Sequence, residues 1–195
     1  MTCVALRFTT PCSIRRSASV LAFLLLAGSA GAATETPIRS IDIVQAPEGF
    51  VADVVMFAPV PPNVAWDVLT DFDHQAAWVP NVRESKVIAR DGNAMTVEQH
   101  GAAKFGLATF PYISVRQVQL DPQRTVRSTQ VKGDSTKRLE SLMTLRPDGS
   151  GTQLMYHLEI VPSGLAAVVV SKDSLKNQLS EQFTAIIEEM VRRTR

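Results

Sequence analysis

The chain has 195 residues, 45% hydrophobic and 20% charged, proportions that exclude a disordered polymer and fit one domain with extensions. Its 20 basic and 19 acidic residues give a formal net charge of +1, without the basic excess that a nucleic-acid surface needs. Both cysteines, Cys3 and Cys12, lie near the N-terminus, so the remaining chain has no disulfide, thiolate nucleophile or thiolate metal site.

Residues 1–33 carry Arg7, Arg15 and Arg16 and no acid, then the apolar run Val20 to Ala27, then Gly28-Ser29-Ala30-Gly31-Ala32-Ala33. A positive start, a short apolar core and small residues before a cut near Ala32/Ala33 predict a secretory signal peptide. The run is too short for an uncleaved anchor, since a spanning helix needs about 20 apolar residues. Ser17-Ala18 after Arg15-Arg16 departs from a twin-arginine signal, and no cysteine marks the cut for lipidation. The expectation is a soluble product in the periplasm or secreted. Its body would hold 17 basic and 19 acidic residues, a net −2.

Residues 34–48 are polar and contain proline, and read as a tether or an early edge strand; the ligand-binding domain is expected over 49–195. Phe50-Val51-Ala52-Asp53-Val54-Val55-Met56-Phe57 is β-branched and aromatic, hence a strand. Pro59, Pro61 and Pro62 end it, and Val64, Ala65, Val68 and Leu69 follow at helical spacing. Asp73 is positioned to cap a second short helix ending near Trp78.

From Arg83 to Pro162 the chain is cut by turn chemistry at Asp91-Gly92, Asp121-Pro122, Gly133-Asp134 and Pro147-Asp148-Gly149-Ser150-Gly151. Leu154, Tyr156, Leu158 and Ile160 alternate with Gln153, His157 and Glu159; Leu139, Ser141, Met143 and Leu145 alternate with Arg138, Glu140 and Thr144. Period two with one polar face predicts antiparallel strands covered on one side. Six are expected, one of them long (about 107–120) and bent near Pro111. Leu175, Leu179, Phe183, Ile186, Ile187, Met190 and Val191 then form the stripe of a long amphipathic helix, with Arg192, Arg193 and Arg195 at its negative end.

This order predicts an α+β helix-grip: about seven curved antiparallel strands around a long C-terminal helix, with two short helices after the first strand. Such a sheet and a single helix leave room for a cavity.

Three stretches carry a family resemblance: Pro61 to Phe72 with Trp78-Val79-Pro80-Asn81-Val82; Gly133-Asp134 through Leu145 to Tyr156 and Pro162; and Leu175 to Val191. In their order and spacing the chain resembles the START-like superfamily (SRPBCC). Within it, the resemblance is to the polyketide cyclase/dehydrase and lipid-transport branch, similar to coenzyme Q-binding proteins. The resemblance implies the fold and an apolar ligand such as a lipid or prenylquinone, and leaves the reaction open because one scaffold hosts carriers and enzymes. Where relatives usually carry an aromatic residue this chain has Met143, which implies a roomier wall.

The candidate ligand-binding residues are Trp78, Met95, Val97, Gln99, Tyr112, Gln130, Met143, Tyr156, Leu165, Val169 and Leu175. Gln99, Ser128, Gln130 and Ser141 share the inward phase and need partners there: a head group, waters or each other. Tyr112 and Tyr156 are placed to orient a quinone or carbonyl oxygen. Asp71, Asp73 and His74 form an oxygen-rich cluster, read as helix ends and surface rather than a metal site. No cofactor, metal or catalytic residue is expected; the absence of Gly-x-Ser-x-Gly and of a phosphate loop opening a helix removes those hydrolase and nucleotide signatures. Three readings remain: a binding protein, a cyclase or dehydratase acting on a carbonyl, and a protein-interaction module. An Arg or carboxylate with a shifted pKa inside the cavity would favour the enzyme. Val168-Val169-Val170, hinged at Gly164, reads as a flap at the cavity mouth with transient membrane contact.

Overall fold

Alternating inward apolar residues build an eight-stranded antiparallel sheet in the order β1-β2-β8-β7-β6-β5-β4-β3. The computed structural model describes residues 36–105 and 108–195, so the signal-peptide expectation for 1–33 lies outside the described residues. The strands are β1 Ile38–Ala46, β2 Gly49–Ala58, β3 Val82–Asp91, β4 Ala94–Phe105, β5 Ala108–Asp121, β6 Thr125–Gly133, β7 Thr136–Asp148 and β8 Gly151–Pro162. The helices are α1 Pro62–Thr70, a 3-10 turn Phe72–Ala77, α2 Ala166–Val169 and α3 Lys172–Arg192.

The helix-grip expectation holds, with one strand more than its approximate count. Most of the segment read as a tether or edge strand is an edge strand: β1 pairs with β2 from Ile38↔Met56 to Ala46↔Gly49. Ile38, Ile41 and Ile43 pack on the core, and a register break between Ile38 and Ser40 disrupts the alternation that would have announced the strand. Pro111 keeps register with Ala102; the irregularity in the β5–β6 pairing falls between Val115 and Arg116.

The Asp73 expectation is corrected. Asp71 occupies the N-cap position of the 3-10 turn, with no side-chain cap bond. Asp73 Oδ1 instead accepts from the Val87 N–H at 2.7 Å, and its carboxylate pairs with Arg90 at 3.5 Å. Val87 belongs to the edge strand β3, so Asp73 occupies a backbone donor that would otherwise invite pairing with another chain. His74 and Arg193 both bond Asp71, at 2.6 and 2.7 Å.

Helix α3 starts at a reciprocal cap, where Ser171 Oγ accepts from Ser174 N and Ser174 Oγ accepts from Ser171 N. Its stripe buries Leu175, Leu179, Phe183, Ile186, Ile187 and Met190. Glu189 is buried on the same helix, its side chain only 5% exposed. Bonds from Arg192 hold its carboxyl down to about 2 against the opposing effect of burial, and Arg193 adds to them. Arg193 continues to Asp71, fastening the end of α3 to the end of α1. Burial alone would raise the Asp71 carboxyl; the His74 and Arg193 bonds reverse this and pull it below its usual value.

Because Glu189 titrates lower in the folded state, its contribution is present above about pH 4.5 and lost as pH falls toward 2. Glu189→Gln should therefore destabilise the protein by about 2 kcal/mol at pH 7, with the difference shrinking between pH 4.5 and 2. Urea unfolding at several pH values measures this; a gap that does not change with pH would contradict the anchor.

Candidate functional site

The inward phase of β4 to β8 faces a cavity of about 250 Å³, lined also by α1, the 3-10 turn and α3. That exceeds the roughly 150 Å³ of an engineered void known to accept benzene, so a ring-sized or longer apolar group fits. Met143, Leu158, Leu175, Leu179, Phe183 and Ile186 supply apolar wall from β7, β8 and α3. Tyr156 stands edge-on to Phe183, ring centroids 4.9 Å apart, and lies opposite Met143 in the sheet.

Six of the eleven expected residues line this cavity: Gln99, Tyr112, Gln130, Met143, Tyr156 and Leu175. The other five lie outside its lining. Met95 and Val97 are core residues of β4, and Trp78 packs against the core from the 3-10 turn. Leu165 and Val169 sit at α2, with Leu165 72% exposed, while their neighbours Ala166 and Val170 line the cavity. With four residues, α2 is too short to turn every apolar side chain inward.

Polar groups concentrate on β4, β5 and β6. Gln99 Nε2 donates to Gln75 Oε1 at 2.6 Å and Ser85 Oγ at 3.1 Å, which turns its carbonyl toward Arg116. The Arg116 guanidinium donates to Gln99 Oε1 through Nη2, and its Nε has no partner. Gln130 is engaged by Thr136, donating to its carbonyl at 3.0 Å and accepting from its hydroxyl. Ser114 Oγ, Ser128 Oγ and Asn81 Nδ2 are buried without partners, and all three residues line the cavity. The Tyr112 hydroxyl donates to the Asn81 carbonyl at 3.2 Å.

Arg116 is the residue that sequence reasoning missed. Tyr112, Ser114, Arg116, Val118 and Leu120 share one phase of β5, so the signal was present in the alternation. Among the described residues that line the cavity it is the only charged one, and no carboxylate lies within ion-pair distance of it. Burial pulls the guanidinium below its usual pKa, opposed by Tyr156 and Tyr112. It nevertheless stays charged at neutral pH, because arginine starts so high. Burial raises both phenols, with Arg116 pulling back on Tyr112, and Ser141 and then Arg116 on Tyr156. Both are neutral donors at pH 7 and poor bases.

The described histidines lie elsewhere. His157 lies opposite Asp53 on the outer sheet face, bonded to it at 2.8 Å, and that bond raises its pKa. His100 pairs with Glu98 at 3.0 Å, and His74 is exposed.

A family model described as polyketide cyclase / dehydrase and lipid transport matches residues 51–194. No curated protein sequence matches the chain. Among solved structures, the Zhui aromatase/cyclase from Streptomyces sp. R1128 is similar with a TM-score of 0.62 and 17% identity, covering 74% of this chain and 95% of its own. A START superfamily protein from Mycobacterium smegmatis gives 0.62 and 13%, covering 73% and 97%. A STAR-related lipid transfer protein fragment from Xanthomonas axonopodis gives 0.57 and 12%, covering 77% and 98%. At these identities the likeness is one of fold.

Gly101 lets the Asn81 carbonyl and the Tyr112 ring pack directly against β4, since a Cβ there would lie 2.1 Å from the carbonyl and 2.5 Å from the ring. Gly101→Ala should destabilise by about 1–3 kcal/mol and displace Tyr112. Thermal unfolding and near-ultraviolet circular dichroism read both effects; an unchanged protein would mean that Tyr112 is not held there.

Proposed function

We propose that this chain, which belongs to the polyketide cyclase / dehydrase and lipid transport family, is an exported binding protein that holds an apolar small molecule in its cavity. The observation carrying this reading is the cavity itself: a concave wall of aliphatic and aromatic side chains, open at one rim and large enough for a lipid chain or ring. A lipid or prenylquinone suits that wall. Export is supported by the basic start, apolar run and small-residue cut in 1–33, a leader that would direct the chain to the periplasm or out of the cell. Among the described residues no helix is long and apolar enough to cross a membrane.

Arg116 favours a second reading, a cyclase- or dehydratase-like enzyme in which the guanidinium polarises a carbonyl. That chemistry also needs a proton acceptor. The described lining contains no Asp, Glu, His or Lys, and burial keeps both tyrosines protonated and so unavailable as proton acceptors. Binding therefore accounts for more of the site than catalysis does.

The rim suggests how cargo enters. Ile113 N donates to Asp134 Oδ1, and Ser163 N donates to the Ser135 carbonyl, which brings β5, the β6–β7 turn and the segment before α2 together. Ile113, Leu165 and Val168 are exposed there, at 42%, 72% and 82%. Gly164, at φ +55°, supplies a backbone conformation that suits a hinge before α2. This rim is proposed to rest briefly on a membrane while cargo passes.

Two outcomes are expected. Native mass spectrometry of protein purified gently from the periplasm should show a stoichiometric small molecule on a chain lacking its leader. Met143→Trp, which narrows the void, should weaken binding of that molecule with little loss of thermal stability. An empty wild-type protein that also ignores a lipid and quinone panel would remove the binding reading. Separately, Leu165→Ser with Val168→Ser should slow uptake from vesicles severalfold without changing equilibrium affinity; unchanged uptake would clear α2 of that role.

A further inference from the structure

We infer that the cavity selects an apolar molecule ending in a single carboxylate, and that Arg116 is the group that holds it. This deepens the binding reading above and rests on it.

A cation set inside an apolar cavity with no counter-ion is costly, and Arg116, half-buried with its Nε fully covered, is placed that way. Arg116 has five N–H donors but one recorded hydrogen bond, to the neutral Gln99 amide, and its Nε is unpartnered. Gln99 cannot turn to offer more, because Gln75 and Ser85 hold its Nε2. The register sets further unsatisfied groups around the same place. Ser114 lies two residues before Arg116 on the inward phase of β5. Ser128 sits on the adjacent strand, two residues from Gln130, which lies opposite Arg116. Both hydroxyls are buried and unpartnered, and both belong to the lining.

Such a set fits one occupant class. The lining carries a single positive charge among the described residues, so one negative charge neutralises it. A guanidinium presents its donors as a planar fork that matches the two oxygens of a carboxylate, and the serine hydroxyls can donate to the remaining lone pairs. A neutral quinone or ester would leave the charge uncompensated. A free small anion would satisfy the charge but leave the apolar wall of β7, β8 and α3 unfilled.

The test is calorimetric titration of the delipidated protein with dodecanoic acid, methyl dodecanoate, 1-dodecanol and sodium acetate. Dodecanoic acid should bind at least about tenfold more tightly than the ester and alcohol, and acetate should bind far more weakly than dodecanoate. Arg116→Met should reduce the preference for the acid to within about twofold while ester binding is retained, and Arg116→Lys should restore part of it. The wild-type comparison stands even where a variant fails to fold. Equal binding of acid, ester and alcohol overturns the carboxylate inference and leaves the cavity reading intact. Acetate binding as tightly as dodecanoate overturns it in favour of a free-anion site. No binding by the acid, the ester or the alcohol removes the cavity reading with it.

Discussion

One helix must cover the concave face of eight strands, and it cannot do so completely. The 21 residues of α3 make a rod about 32 Å long and about 10 Å across. Eight strands at about 4.8 Å spacing present a face about 34 Å wide. Helix α3 approaches β1 and β2 near one edge and β4 near the other, and also packs on α1. The middle strands bow away beneath it, and the cavity occupies that gap. The span also explains the fastening at its end: a helix bridging a void has fewer core neighbours to fix its angle. The Glu189–Arg193–Asp71 chain of bonds ties it to α1 where the packing ends.

The void does not remain uniformly greasy because strand geometry does not permit it to. Along β5 every second residue must face inward, and the sequence places Tyr112, Ser114 and Arg116 there. Cross-strand neighbours satisfy some of the resulting polar groups. Gln99 is held by Gln75 and Ser85, and Gln130 by Thr136. Others are left over, and the remainder is a guanidinium with hydroxyls beside it. A folded state that keeps such groups unsatisfied gives up stability. A ligand that satisfies them would recover it in proportion to its concentration, which couples loading to stability.

Much of this was legible in the order of periods: two, then 3.6, then two, then 3.6 again. Local chemistry announced the turns at Gly92 and Gly149, both at positive φ, and the apolar stripe of α3. The register breaks hid the rest. In β1 the break between Ile38 and Ser40 shifts the phase of the isoleucines, so the alternation looks broken although the strand pairs throughout. Asp73 was misassigned because its true partner, the Val87 N–H, lies 14 residues away on an edge strand. Arg116 went unnoticed for a different reason. Its phase was readable, but a charged residue in an inward phase is ordinarily taken as evidence that the phase is wrong. Inward Gln99, Ser128 and Ser141, all buried, carried the same message from neighbouring strands.

Four strands agreeing on polar inward residues is a stronger statement than any one of them. A packed core would reject the unpartnered ones, Ser114, Ser128 and the Arg116 Nε, because burying a polar atom without a partner costs about 1–3 kcal/mol. Their coexistence therefore argues for an interior meant to be filled by something other than the protein. It also bears on the difference between holding and transforming a molecule within one fold. A cation beside neutral donors stabilises an anion that is already present, whereas making one requires a base within reach of the proton. The described residues provide the first condition at Arg116 and leave the second unmet, since the described histidines pair or stand on the outer surface. A carboxylate on the inward phase of β6 would put such an acceptor beside the guanidinium, since Gln130 on that strand lies opposite Arg116.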